Sequence, residues 1–294
     1  MRRYLLLLLL LAVPMAACAA MMNALEEATD EGSVAGKLVR GANRLRKSYQ
    51  DLDPSEEHFI GRSVAAEILG MPEYRLSDDQ ALLAYVERVG HAIAMTNDKV
   101  RQPFLGYRFG VLATDEVNAF ACPGGLILVS RGLIGKTRSE DELAAVLAHE
   151  IAHVTLRHGV AAIQSANLAE AFTYLGAGAA QATMSQEDLK SLTGLFDESV
   201  GDVVKTLVTS GYSRDAEQEA DSLGREFLAT TGYDPQGLCR VLECMAGDGG
   251  QGGMFSTHPA PKDRIASLGN PVAFAANAAA ARARQQRYGA VLKV

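Results

Sequence analysis

Basic residues are scarce in this sequence of 294 residues, and their scarcity argues against a nucleic-acid partner. Lysine and arginine together number 28 against 35 aspartates and glutamates, which gives a formal net charge of −7. A domain that binds nucleic acid usually carries a concentrated basic surface. The basic residues here are scattered along the chain, so we expect no nucleic-acid partner.

Cysteine is also rare, and its spacing argues against a structural zinc site built from cysteines. The chain has four cysteines, and none of them belongs to a CxxC pair, the usual source of thiolate ligands in such sites. If Cys18 is modified, Cys122, Cys239 and Cys244 can form at most one disulfide. The sequence leaves open which pair would form it.

The leucine run at the N-terminus is too short to cross a membrane. Leu5–Leu11 has seven leucines, whereas a membrane-spanning helix needs about 20 apolar residues. Arg2 and Arg3 precede this run and small residues follow it, which is typical of a secretory signal. The sequence therefore predicts a signal peptide over residues 1–17.

The residues around Cys18 favour a lipid anchor. Met15-Ala16-Ala17-Cys18 is similar to a bacterial lipoprotein cleavage site, although Met15 stands where leucine is usual. A plain signal peptide cut nearby, with Cys18 as an ordinary thiol, is the alternative. The interpretation that we favour makes residues 18–52 a lipidated N-terminus and spacer. It predicts a protein on the periplasmic side of the outer membrane, or in the soluble periplasm if Cys18 carries no lipid.

Apolar periodicity predicts helices on both sides of a few short strands. The pair Asp53-Pro54 is typical of a helix start. Alternating apolar residues from Tyr107 onward predict strands up to Ser130, with a turn at Pro123-Gly124-Gly125. The fold class that we expect is α+β, mainly helical, with a small antiparallel sheet.

A long helix is predicted to follow the strands. Ser139-Glu140-Asp141-Glu142 is a capping box, and the helix that it begins should extend to about Ile163. Helical segments fill most of the remaining chain. We expect one domain over residues 53–270, followed by a C-terminal helix over residues 271–294.

The predicted long helix contains His149-Glu150-Ile151-Ala152-His153, an HExxH motif. Residues four apart share a helix face, so both imidazoles can reach one metal ion. Glu150 can hold a water molecule beside that ion without binding it. Burying these groups among the apolar neighbours would be costly without a partner. The motif therefore predicts a metal site rather than two packed histidines.

A catalytic zinc ion needs a third protein ligand and one open position. His158 lies five residues past His153, which directs it away from the metal face of a continuous helix, so we interpret it as structural. The acidic segment Ser213–Asp221 places Glu217 and Asp221 on one helical face. One of these two carboxylates can bind the metal while the other orients a histidine ligand.

HExxH followed about sixty residues later by Ser213-Arg214-x-x-Glu217-x-Glu219-Ala220-Asp221 resembles the gluzincin metallopeptidase family of the CAAX prenyl endopeptidase and the heat-shock protease HtpX. The resemblance covers about residues 54–270 and fits the secreted, soluble branch of that family. Its further motifs are Asn118-Ala119-Phe120-Ala121, Pro123-Gly124-Gly125, Gly132-Leu133, Gly232-Tyr233-Asp234-Pro235, Ser256-Thr257-His258-Pro259 and Asp263-Arg264-Ile265.

The resemblance implies a zincin-like metallopeptidase domain that binds one zinc ion per chain. It implies that Glu150 is the general base, and that Asp221 and Arg214 contact and orient the metal ligands without binding the metal themselves. The ligands themselves would be His149, His153 and Glu217.

Two further roles follow from the same resemblance. His258 would occupy or adjoin the fourth zinc position, where it either gates the site or assists catalysis; a loop histidine packed beside Pro259 is the alternative. Asn118, Ala119 and Phe120 would form an edge strand that pairs with an extended substrate. A plain structural strand is the alternative for that segment.

The expected function is a zinc-dependent metalloendopeptidase acting on unfolded or assembling envelope proteins. The competing hypothesis is a zinc-containing periplasmic binding protein that acts like a chaperone and rarely cleaves. Glu150 is intact, which favours the enzyme. The sequence leaves the oligomeric state open.

Overall fold

The computed structural model describes residues 52–163, 186–247, 257–270 and 272–292, which fall in one compact unit. The predicted signal peptide, Cys18 and nearly all of the predicted spacer lie outside the described residues. In the part of the chain that the structure describes, no helix is long and apolar enough to span a membrane. Cys122, Cys239 and Cys244 are all free thiols.

The described part of the chain contains ten α-helices, three strands, a 3₁₀ turn (Pro123–Gly125) and a π-helical turn (Thr206–Ser210). The helices are α1 (Pro54–Gly70), α2 (Gln80–Met95), α3 (Arg131–Ile134), α4 (Glu140–Thr155), α5 (His158–Ala161), α6 (Gln186–Lys205), α7 (Arg214–Thr231), α8 (Gly237–Gly247), α9 (Pro261–Ser267) and α10 (Ala278–Leu292). The strands are β1 (Arg108–Leu112), β2 (Ala119–Cys122) and β3 (Leu126–Ser130). The predicted α+β class, mainly helical with a small sheet, is confirmed.

The sheet is mixed, so the prediction that it is antiparallel throughout is wrong for one of its two pairings. The strand order is β1-β3-β2. β2 and β3 form an antiparallel hairpin, whose turn relies on the positive φ angles of Gly124 and Gly125. β1 lies on the other side of β3 and pairs with it in parallel, from Arg108 opposite Leu126. This pairing is non-local, and alternation along each strand does not specify its direction.

The helix that carries HExxH begins as predicted but ends early. The Ser139 side chain accepts a hydrogen bond from the Glu142 amide at its N-terminus. The helix stops at Thr155 rather than near Ile163, because Arg157 adopts a left-handed conformation with φ 61°. The Arg157 guanidinium donates to the Leu52 carbonyl at 3.0 Å, and the short helix α5 follows.

Helix α4 lies at the centre of the core, and its packing positions the site. It is buried along nearly its whole length and packs against α7, α8, α2 and β2. Gly224 on α7 permits a close approach to α4, since a Cβ atom there would lie 3.2 Å from the His149 backbone nitrogen. This close approach brings the acidic face of α7 against the histidines of α4.

The C-terminal helix α10 is anchored at the beginning of α4. Tyr288 is buried and contacts the Thr137 hydroxyl at 3.0 Å. Arg284 pairs with Asp141 at 3.0 Å, and Arg287 pairs with the buried Glu140. These contacts hold the end of the chain against the helix that carries HExxH.

Candidate active site

Helices α4 and α7 together present three buried candidate ligands. His149 and His153 lie one turn apart on α4, and Glu217 faces them from α7. The Nε2 atoms of the two histidines are 3.0 Å apart. Oε1 of Glu217 lies 3.4 Å from Nε2 of His153, and Oε2 of Glu217 lies 3.6 Å from Nε2 of His149. All three side chains are essentially inaccessible to solvent.

These spacings suit a tetrahedral zinc ion. Zinc bonds of about 2.0–2.1 Å place neighbouring ligand atoms about 3.3 Å apart. The three observed separations bracket that value. The Glu217 Oε2 atom is buried and has no hydrogen-bond partner among the described residues, so a cation between these groups would satisfy it. The residues therefore fit a metal ion.

Burial keeps the second histidine ready to bind a metal. Burial lowers the pKa of His153 to about 3, despite the opposing effect of the Glu217 carboxylate. The imidazole is therefore neutral near pH 7, which is the form that coordinates metals. The Tyr212 ring stacks on His153 with ring centroids 4.3 Å apart and helps to fix its plane.

Glu150 is placed beside the cluster as a carboxylate with spare hydrogen-bonding capacity. It is fully buried, and its Oε1 atom has no hydrogen-bond partner among the described side and main chains. Burial raises the pKa of Glu150, and the neighbouring His149 opposes that rise. An unsatisfied carboxylate oxygen in such a place can accept a proton from a water molecule.

His258 completes the group of residues that can hold a metal. Its ring approaches from the segment before α9, and one ligand atom each from His149, His153, Glu217 and His258 lie within 4.8 Å of one another. Nδ1 of His258 is 2.7 Å from Oε1 of Glu217. Burial lowers the pKa of His258, but the Glu217 carboxylate outweighs it, and the pKa lies above the usual value.

Asp221 contacts the first histidine on the side away from the cluster, and the arginine beside Asp221 is Arg264. Oδ1 of Asp221 is 2.9 Å from Nδ1 of His149. Arg264 is buried on α9 and its Nε donates to Oδ2 of Asp221 at 3.0 Å. Burial raises the pKa of Asp221, but the Arg264 charge and the hydrogen bond with His149 outweigh burial and hold that pKa well below its usual range.

Arg214, the arginine expected to support the ligands, is exposed at the first residue of α7. It lines a cavity of about 100 Å³ that reaches Glu217 and Arg264. The sequence contains a clue to Arg264, because Asp263-Arg264-Ile265 is one of the family motifs. Arg214 is on the same helix as Asp221 and lies about 10 Å from it along the axis. The distance of Arg264 from Asp221 instead depends on how α9 packs against α7, which no local pattern predicts.

The predicted edge strand lies at the edge of the sheet, next to the helix that carries HExxH. Among the described strands, β2 pairs only with β3, and α4 packs against it. Asn118, Ala119 and Phe120 are all buried. The Asn118 side chain accepts from the Ala119 amide at 2.9 Å, and Phe120 contacts the Tyr74 ring edge-on.

Residues 80–272 match Peptidase family M48. The chain belongs to this family. The predicted gluzincin resemblance is thereby confirmed. Family membership implies a metal, and the cluster of His149, His153, Glu217 and His258 is able to hold one.

Several curated proteins are similar to this M48 peptidase. The beta-barrel assembly-enhancing protease of Yersinia pestis is 31% identical over 65% of this chain and 39% of its own length. Metalloprotease YcaL of Escherichia coli is 30% identical over 56% of this chain and 62% of its own. The mitochondrial metalloendopeptidase OMA1 of Schizosaccharomyces pombe is 31% identical over 76% and 63%. The chain thus spans about two fifths of the first of these relatives.

Proposed function

We propose that this protein is a zinc-dependent endopeptidase, with His149, His153 and Glu217 as ligands and Glu150 as general base. One observation carries the proposal. The Nε2 atoms of His149 and His153 are 3.0 Å apart and each lies 3.4–3.6 Å from one Glu217 oxygen, close to the separations in a tetrahedral zinc site. Glu150 lies beside them with a carboxylate oxygen that no described group satisfies. Three protein ligands leave one position for a reactant, as in catalytic zinc sites.

Glu150 moves the proton in the proposed reaction. A zinc ion held by His149, His153 and Glu217 would supply Lewis acidity toward the attacking water and the scissile carbonyl. Glu150 accepts the proton from that water as it attacks, and then delivers it to the nitrogen of the leaving amine. Burial raises the pKa of Glu150, which makes its carboxylate a stronger proton acceptor than that of an exposed glutamate.

Asp221 and Arg264 orient the first ligand. When Nδ1 of His149 donates its proton to Asp221, Nε2 keeps the lone pair that faces the cluster. Arg264 keeps Asp221 ionised and therefore a strong acceptor. Arg214 lies at the exposed mouth of the cavity beside Glu217, where it can attract the carboxylate or carbonyl groups of a substrate.

The proposed substrates are unfolded or assembling envelope proteins. This proposal is supported by the similarity to beta-barrel assembly-enhancing proteases, together with the predicted secretory signal. An extended polypeptide is the proposed partner of β2, which is an edge strand among the described strands and packs against the HExxH helix. A chaperone-like binding protein would use the same surface without cutting.

Digestion of casein by the purified protein tests the proposed activity. An endopeptidase produces internal fragments, whereas a binding protein leaves casein intact. Intact casein after long incubation with the zinc-loaded protein would favour the binding protein.

His258→Ala is expected to retain zinc and to change the turnover of casein. Nδ1 of His258 contacts Glu217, so the ring lies where it can block the fourth zinc position. If His258 closes the site, turnover rises in the variant. If His258 donates to the developing oxyanion, turnover falls by about 10²–10³-fold. Unchanged turnover together with unchanged zinc affinity would leave His258 with a packing role only.

Cys18 is the proposed attachment point of a lipid anchor. A bacterial lipoprotein carries several acyl chains on that cysteine, and one chain alone would bind a membrane only marginally. Ala19 provides no acidic signal of the kind associated with the inner membrane, which favours the outer membrane. Cys18→Ser is expected to yield an unlipidated protein in the soluble fraction. Wild-type protein found free in the periplasm with its N-terminus at Ala19 or later would contradict the anchor.

A further inference from the structure

The two histidines of HExxH differ in the group that contacts Nδ1. For His149 this group is the Asp221 carboxylate, and for His153 it is the imidazole of His158. Nδ1 of His158 lies 2.9 Å from Nδ1 of His153. On its other side, Nε2 of His158 lies 3.3 Å from Oε2 of Glu219. His153 and His158 are buried, whereas the Glu219 side chain is 64% exposed. The three residues therefore form a line from solvent to the ligand cluster.

The end of α4 produces this arrangement. In a continuous helix, a residue five positions after His153 would be directed away from it. The left-handed Arg157 turns the chain, and its guanidinium fixes the turn through the Leu52 carbonyl and Glu57. Because of this turn, the His158 ring contacts Nδ1 of His153, the ring nitrogen that faces away from the ligand cluster.

Only one placement of the ring protons allows the hydrogen bonds from His153 through His158 to Glu219 and also leaves His153 able to bind a metal. Nε2 of His153 faces His149 and Glu217, so it must carry a lone pair to bind a metal ion. The proton of the neutral His153 ring is then on Nδ1. That N–H donates to Nδ1 of His158, whose own proton is therefore on Nε2, where it points at the Glu219 carboxylate. A His158 ring with protons on both nitrogens would set two N–H groups against each other.

We propose that His158, backed by Glu219, is a positioning residue that fixes the tautomer and the ring orientation of His153. The two histidine ligands thus have different supports: Asp221 acts on His149 directly, and Glu219 acts on His153 through a second imidazole. Supporting contacts of this kind raise the basicity of a ligand and restrict its rotation. This inference rests on the proposed role of His153 as a zinc ligand.

The test is the zinc dissociation constant of the purified protein, measured by competition with a chelating dye. His158→Phe keeps a planar ring but removes the acceptor, and we expect zinc affinity to fall by about 10–100-fold. His158→Asn places an amide oxygen near the position of Nδ1, and we expect affinity within about threefold of wild type, since the acceptor is restored. His91→Phe, which changes a histidine that contacts the Tyr107 carbonyl, is the matched control with unchanged affinity.

The outcomes separate positioning from packing. Wild-type zinc affinity in His158→Phe would overturn the proposal, and so would equal losses in the Phe and Asn variants, because the acceptor would then be irrelevant. If His158→Phe does not fold, the comparison of His158→Asn with His158→Ala decides, with affinity lost only in the alanine variant. The unfolding temperature of the metal-free proteins identifies a variant that is merely destabilised.

His153→Ala distinguishes this inference from the proposed ligand set. If His153→Ala retains zinc, the ligand assignment fails. If His153→Ala loses zinc while His158→Phe binds it normally, only the positioning role fails.

Discussion

Glu150→Gln is expected to lower the turnover of casein by about 10²–10⁴-fold, the usual contribution of a general base. Glutamine has nearly the same shape as glutamate but cannot accept a proton from water. The wild-type carboxylate is buried beside His149 and has an oxygen without a described partner. Glu217 has a similar oxygen in the cluster, but it is proposed to bind the metal and so cannot replace the base. The measurement is the rate of peptide release per zinc ion.

Zinc content is the control for this variant. Glu150 is absent from the group of residues whose ligand atoms converge, so Glu150→Gln should bind one zinc ion per chain as the wild type does. Loss of zinc from the variant would mean that Glu150 is itself a ligand. The assignment of roles within HExxH would then be wrong.

His149→Ala and Glu217→Ala are expected to weaken zinc binding by more than about 100-fold. Even the loss of a residue that only supports a ligand costs about 10–100-fold in affinity, and these variants remove a ligand itself. In each variant the remaining two ligands form an incomplete site. Elemental analysis after dialysis should show little zinc in either protein.

Matched substitutions separate the loss of a ligand from general damage. Asp215→Ala removes an exposed carboxylate two residues before Glu217 on the same helix, and it should retain zinc. His91→Ala removes a histidine that lies outside the cluster. Full zinc retention in both His149→Ala and Glu217→Ala would contradict the proposed ligand set.

Local sequence patterns predict the groups that converge in this site. The four-residue spacing of His149 and His153 holds because α4 is a regular helix over both positions. Glu217 and Asp221 share a face of α7 for the same reason. The Ser139 cap fixes where the HExxH helix begins. Each of these features depends on residues a few positions apart, so apolar periodicity and helix-capping patterns are able to predict it.

Local sequence patterns do not predict the features that depend on contacts between residues far apart in the chain. The left-handed Arg157 ends α4 early, and arginine has no intrinsic preference for that conformation. His158 therefore contacts His153, which the geometry of a continuous helix excludes. Arg264, rather than Arg214, meets Asp221 because α9 packs against α7. The parallel pairing of β1 with β3 likewise depends on contacts between strands that are not adjacent in sequence.

The most direct test of the central claim compares casein fragments released by the wild type and by Glu150→Gln at equal zinc content. Mass spectrometry of the products identifies each cleaved bond. We expect internal cleavages from the wild type and almost none from the variant, since both proteins hold the metal but only one has the base. The same internal fragments released at the same rate by both proteins would contradict catalysis by this site.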